Sequence, residues 1–190
     1  MARNERRVRP GELRIIGGRW RGRRLQLPAG SAVRPTGDRI RETLFNWLAP
    51  TIAGARCLDL FAGSGALGLE ALSRGAGETV FVEKDPVAVR QLKASIDTLG
   101  CEDARVARVD AAAFLRGSPA PFDVVWLDPP FGEFDLENLC TLLERGWLAS
   151  GARIYIEMDR RSDLPNLPDG WSVDRDKTAG QVRFVLATRR

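Results

Sequence analysis

The 190-residue chain predicts an α/β fold: a doubly wound, mostly parallel sheet with an antiparallel C-terminal hairpin and an N-terminal β-hairpin extension. Three observations carry that reading. From Arg56 onward, short apolar runs alternate with stretches of helical periodicity, the pattern of a parallel sheet covered on both faces. Gly63 and Gly65 stand where the first such strand turns into a helix. Four acids, Asp59, Glu83, Asp110 and Asp128, fall at or near successive strand ends, where ligands bind in sheets of this kind.

Taken in order, residues 1–12 read as a basic disordered arm, polar and interrupted by Pro10-Gly11. Leu13–Ile16 and Trp20–Leu27 flank Gly17-Gly18, a short-loop hairpin signal. Pro28–Asp38 is a turn-rich connector. A helix follows from about Asp38 to Leu48, with Ile40, Leu44, Trp47 and Leu48 as its apolar stripe and Thr36 or Asp38 able to cap it. Strands are expected at Cys57–Phe61, Thr79–Val82, Arg105–Val109, Phe122–Leu127 and Arg153–Glu157. Helices are expected at Leu67–Ser73, Pro86–Leu99, Ala111–Leu115 and Leu136–Arg145, with proline opening the second. Trp171–Asp176 and Val182–Ala187 close the chain as an antiparallel pair.

Composition removes several classes of chemistry. The chain has no histidine, which excludes His-based triads and His general bases and leaves little for zinc. Cys57, Cys101 and Cys140 are scattered without metal spacing and suit a reducing compartment. No metal site is expected. No apolar run reaches the ~18 residues of a membrane span. Charge is unevenly placed: residues 1–41 carry twelve arginines against three acids, a net +9, leaving −5 on the remainder of a chain whose total is +4. Arginine forks match phosphate oxygens and stack on bases, so this arm points to a nucleic acid. Arg14, Arg19, Arg21, Arg23 and Arg24 lie on or beside the predicted hairpin, and Arg34 and Arg39 flank the helix start.

Leu58-Asp59-Leu60-Phe61-Ala62-Gly63-Ser64-Gly65-Ala66-Leu67-Gly68 is a strand, a glycine-rich turn and a helix start. The glycine spacing also fits dinucleotide enzymes. Asp59 argues against a pyrophosphate there, because it adds negative charge to the site. It suits a ligand with an ammonium and a sulfonium, and S-adenosyl-L-methionine has both. Glu83 can accept from ribose hydroxyls. Asp110, with the Ala111 N–H, either reads an adenine edge or caps a helix.

Asp128-Pro129-Pro130-Phe131 presents acceptors on a turn stiffened by two prolines. An aryl amine needs such a turn. Its lone pair is delocalised into the ring, and two acceptors on its N–H groups can redirect that pair toward an electrophilic methyl group. Asp128 and the Pro129 carbonyl are assigned to this task, and Phe131 to stacking on the base.

The Asp59–Gly65 stretch followed by Asp128-Pro129-Pro130-Phe131 resembles class I amino-methyltransferases with an Asp-Pro-Pro-Phe/Tyr motif. Arg14-Ile15-Ile16-Gly17-Gly18, Gly22-Arg23 and Arg34-Pro35-Thr36-x-Asp38-Arg39-x-Arg41-Glu42-x-x-Phe45-Asn46 narrow it. They resemble the bacterial 16S rRNA guanine-N2 methyltransferase family of the RsmD type. The resemblance implies a Rossmann-like methyltransferase sheet and an N-terminal hairpin that grips RNA. It also implies action in the cytoplasm on 16S rRNA in the small ribosomal subunit or its precursor, by a protein expected to be a monomer. Asp59, Phe61, Gly63, Gly65, Glu83, Asp110 and Ala111 would line the cofactor site, and Asp128, Pro129 and Phe131 the target-amine site. Residues 13–50 would be the RNA-gripping extension and 51–190 the methyltransferase domain. The choice of guanine N2 over adenine N6 comes from the resemblance, since the acceptor chemistry serves both amines. A nicotinamide-dependent oxidoreductase leaves Asp59 and the Asp-Pro-Pro-Phe turn without a purpose. A non-catalytic RNA-binding assembly protein leaves only the turn so.

Overall fold

A computed structural model describes residues 11–26 and 37–190. Its central sheet has seven strands in the order β5-β4-β3-β6-β7-β9-β8. The parallel strands are β3 (Arg56–Asp59), β4 (Glu78–Val82), β5 (Ala104–Ala107), β6 (Phe122–Leu127) and β7 (Leu148–Asp159). β8 (Trp171–Ala179) and β9 (Val182–Arg189) add the antiparallel edge through β9 against β7. The doubly wound, mostly parallel sheet with its C-terminal hairpin is therefore as the sequence predicts. The chain runs outward from β3 to β5 and returns to place β6 beside β3, which puts the topological switch point between those two strands.

Each face of the sheet carries its own core. On one face, Cys57, Phe81, Trp126 and Tyr155 meet α1 (Gly37–Leu48), α2 (Ala66–Ser73) and α3 (Pro86–Leu99). On the other, Leu58, Val125 and Ile154 meet α4 (Ala111–Leu115) and α5 (Leu136–Leu143). The helices lie within a residue or two of their expected bounds. The strands differ more: β5 ends at Ala107, so Val109 and Asp110 stand in the loop beyond it, and β7 starts at Leu148.

The N-terminal hairpin is built differently from the expectation. β1 (Glu12–Arg14) pairs with β2 (Arg24–Gln26), with Leu13 opposite Leu25 and both buried. β1 thus begins at Glu12, the last residue assigned to the arm. Gly17-Gly18 is not the turn of this hairpin but the place where its loop rests on α2. Arg19 N–H donates to the Ser73 carbonyl at 2.7 Å, and the Ser73 hydroxyl donates to the Gly17 carbonyl at 2.6 Å. A Cβ on Gly18, whose φ is +75°, would stand 1.8 Å from the Ser73 carbonyl oxygen. The glycine serves close backbone approach. Arg34, the connector around it and the capping role considered for Thr36 lie outside the described residues. Among the described residues no helix is long and apolar enough to cross a membrane, and no group of His, Cys, Asp or Glu is arranged to hold a metal ion.

Candidate active site

Parallel register places the strand-end acids. Asp59 on β3 is level with Phe81 on β4 and Trp126 on β6, and Trp126 is level with Tyr155 on β7. Side chains alternate along a strand, so residues two positions further share the same face. Glu83, Asp128 and Glu157 therefore stand one step beyond Asp59 on the face that carries α1 and α2. They form a row of carboxylates across β4, β6 and β7, and all four acids line one cavity of about 1070 Å³. Single-ligand pockets are roughly 300–1,000 Å³, so there is room for a nucleoside cofactor and a target base together.

At the β3–β4 end, backbone donors hold the acids. Glu83 accepts from Gly63 N–H and from Asp85 N–H, both at 2.8 Å. Asp59 is buried and accepts from Gly68 N–H at 3.1 Å. Burial pushes its carboxyl up to about 7, against the lowering effect of that hydrogen bond. Asp110 caps α4 through Oδ1, which accepts from Ala112 and Ala113 N–H. Capping and cavity lining coexist here, because Asp110 and Ala111 both border the cavity.

The glycines divide the work of the turn. Gly63 borders the cavity with φ +49°, and the nearest atom to an added Cβ is its own Phe61 carbonyl oxygen at 4.0 Å. The space above it is open to a ligand. At Gly65, expected beside the cofactor, a Cβ would meet Leu92 of α3 at 2.4 Å. Its role is packing at φ +77°. Gly68 is likewise a packing residue, 2.2 Å from the Phe81 ring by the same construction.

At the β6–β7 end, Asp128, Pro129 and Phe131 line the cavity together. The Pro130 carbonyl accepts from Glu133 N–H at 3.2 Å and closes the turn. Phe61 meets Phe134 edge-on at 4.7 Å, and the Lys84 ammonium sits 5.4 Å from the Phe134 ring, so two segments remote in sequence share one aromatic wall.

Sequence reasoning missed three groups. Phe134 follows the motif too closely to stand out as a wall. Tyr155 donates from its hydroxyl to Glu157 Oε2 at 2.7 Å, and both are buried. A strand ending in Tyr-x-Glu was the available signal. Arg41 is 3% exposed and joins Asp38 at 2.6 Å and the Arg14 carbonyl at 2.8 Å. Burial lowers its pKa, and the neighbouring Asp38 and Glu70 carboxylates work against that shift.

The arginines predicted to meet RNA separate into kinds. Arg14 belongs to the cavity wall, paired with Asp38 at 3.1 Å. Arg24 pairs with Glu12 at 2.9 Å, and Arg23 donates to the Thr98 carbonyl at 3.1 Å. Arg19 stacks over Trp20 at 4.2 Å and faces Asp103 at 3.7 Å. Arg21 and Arg39 are exposed.

This donor set fits S-adenosylmethionine: acids suited to ribose and adenine lie at one end, a buried acid near the centre, and an open Gly63 between them. Residues 13–188 match the family model described as Conserved hypothetical protein 95. The chain is 51% identical to Ribosomal RNA small subunit methyltransferase D of Escherichia coli K12, over 94% of this chain and 91% of that protein. It is 46% identical to the protein of the same name from Haemophilus influenzae, over 93% of each. The solved structure of yhhF from Escherichia coli, provisionally assigned as a methyltransferase, superposes with a TM-score of 0.89 at 48% identity, covering 94% of this chain and 98% of that one. The chain belongs to the Ribosomal RNA small subunit methyltransferase D family.

Proposed function

We propose that this protein transfers a methyl group from S-adenosylmethionine to the exocyclic N2 amine of a guanine in 16S rRNA. It acts as a single copy in the cytoplasm, on the small ribosomal subunit or its precursor. The observation that carries this reading is the row of strand-end carboxylates meeting the Asp-Pro-Pro-Phe turn in one cavity. When bound, the cofactor supplies an electrophilic methyl on a sulfonium.

The chain's own groups do the rest. Glu83 and Asp110 would hold the nucleoside half of the cofactor and Asp59 its ammonium. Phe131 holds the base by stacking. Asp128 and the Pro129 carbonyl each accept one N–H of the amine, so its lone pair points at the methyl. As the new N–C bond forms and the methyl–sulfur bond breaks, its electron pair staying on sulfur as a neutral thioether, the nitrogen becomes positive. The Asp128 carboxylate stabilises that charge and receives the released proton, which passes to solvent. The base must be unpaired or flipped out to reach this depth. Residues 13–50 grip the RNA through phosphate contacts, with Arg21 and Arg39 among the exposed cations, and residues 51–190 carry the chemistry.

The test is methyl transfer from labelled cofactor to small subunits lacking base methylation, with nucleoside analysis of the product. Label in N2-methylguanosine is the expected result. Label in N6-methyladenosine would keep the acceptor mechanism and overturn the choice of base.

A further inference from the structure

The acceptor turn explains how an amine is held but not which one. Asp128 and the Pro129 carbonyl would serve the N6 amine of adenine as well as the N2 amine of guanine. The two bases differ at the ring nitrogen beside the amine: guanine N1 carries a proton and donates, while adenine N1 has a lone pair and accepts. A site that chooses guanine needs one more acceptor next to the amine, on the side away from the cofactor.

The fold supplies one. Across the sheet the row runs from Glu83 on β4, past Asp59 on β3, to Asp128 on β6 and Glu157 on β7. The cofactor side is the β3–β5 half, so the target base enters over β6 and β7. Glu157 is then the carboxylate beyond Asp128, one strand further out, and neighbouring strands are only about 4.8 Å apart. Glu157 and Tyr155 both border the same cavity as Asp128. Glu157 is 8% exposed, and the Tyr155 hydroxyl holds its Oε2 at 2.7 Å. That bond holds one oxygen and fixes the orientation of a group that offers roughly four acceptor positions in all. Burial first, and then the charges of Glu157 and Asp128, raise the pKa of Tyr155, so the tyrosine remains a donor.

We infer that Glu157, oriented by Tyr155, accepts the N1–H of the target guanine and so makes the site choose guanine over adenine. This rests on the guanine-N2 reading above and names the residue that enforces it. Facing adenine, the same carboxylate meets a lone pair, with two acceptors opposed in a dry site.

The test uses the intact protein and reconstituted small subunits carrying either guanosine or 2-aminopurine ribonucleoside at the methylated position, mapped first with the wild-type protein. 2-Aminopurine keeps the amine but has an unprotonated N1. Wild type is expected to favour guanosine by about 100-fold or more in kcat/KM, as sites built to bond a polar group reject analogues lacking it. Glu157→Gln, whose amide can turn either an acceptor or a donor toward N1, is expected to lose about tenfold on guanosine and nothing on 2-aminopurine. Tyr155→Phe narrows the preference less. Calorimetric cofactor affinity should stay at the wild-type value in both variants. Equal use of the two bases by wild type would overturn the inference, as would a parallel fall on both with Glu157→Gln, the mark of a merely structural residue. Wild type that makes no N2-methylguanosine on guanosine subunits would instead overturn the guanine reading itself, and this inference with it.

Discussion

The two halves of the cavity hold their carboxylates by different means. On the β3–β5 side the acids lean on nearby backbone: Asp59 on Gly68, Glu83 on Gly63 and Asp85, and Asp110 on Ala112 and Ala113. On the β6–β7 side Glu157 leans on a side chain, the Tyr155 hydroxyl. Arg14, Asp38 and Arg41, from the other end of the chain, also line the cavity. A cofactor is the same molecule at every turnover and suits a site whose acids are fixed by backbone donors. An RNA base is chosen against competitors, and that choice calls for side chains converging from distant segments.

The sharpest way to break this contrast is Asp128→Ala. Methyl transfer should fall by about 10²–10³-fold, the cost of removing one preorganised electrostatic group. Cofactor affinity by calorimetry should not move. Loss of both together would show that the halves are one unit.

Next comes the seat of the hairpin. Glu70 is fully buried and accepts from Ile16 N–H and Gly17 N–H at 2.8 Å each and from the Arg74 guanidinium at 2.7 Å. Glu70→Ala strands these donors and should cost about 3 kcal/mol in denaturant unfolding. RNA affinity should fall further than cofactor affinity, because the hairpin leaves α2 first. Equal losses would mean that the hairpin and sheet unfold as one.

The third effect is a pH dependence confined to the cofactor half. The Asp59 carboxyl stands at about 7, well above the ordinary ~3.9 of an unfolded chain. The native state therefore binds more protons than the unfolded state between those values, and stability contributed by this group falls as pH rises from about 4 to about 7. A cationic ligand beside Asp59 favours the carboxylate. Cofactor binding should then release a proton and weaken up to about tenfold per unit as pH drops below 7. Calorimetry in buffers of different ionisation enthalpy reads the proton directly, and Asp59→Asn should abolish it.

Smallest is the effect of the exposed arginines. Each of Arg21→Ala and Arg39→Ala should lower RNA affinity modestly and reduce the salt slope of binding by about one. Cofactor affinity and thermal stability should not change, because both side chains are exposed.

Legibility in the sequence follows the same division. The Asp59–Gly68 turn, Glu83, Asp110 and Asp128 could be located from the sequence because each ends or closely follows a strand whose apolar run marks its position. The hairpin was anticipated, but its turn was misplaced. Gly17-Gly18 carries the same letters whether it turns a chain or lets it touch a helix, and only the Ser73 carbonyl beside it tells the two apart. Gly65 is ambiguous in the same way, since a glycine required by Leu92 looks like one required by a ligand. Arg14 counted as a surface cation until Asp38 and Arg41 drew it into the cavity wall.

By itself, then, the sequence determined the doubly wound sheet and the acids at or near its strand ends. Apolar periodicity and proline-glycine punctuation act over a few residues and can be read there. The tertiary structure alone decided which arginines reach outward, which glycines face a ligand and that Tyr155 and Glu157 complete the cavity. Those properties depend on atoms brought within a few ångströms by register and packing between segments far apart in the chain.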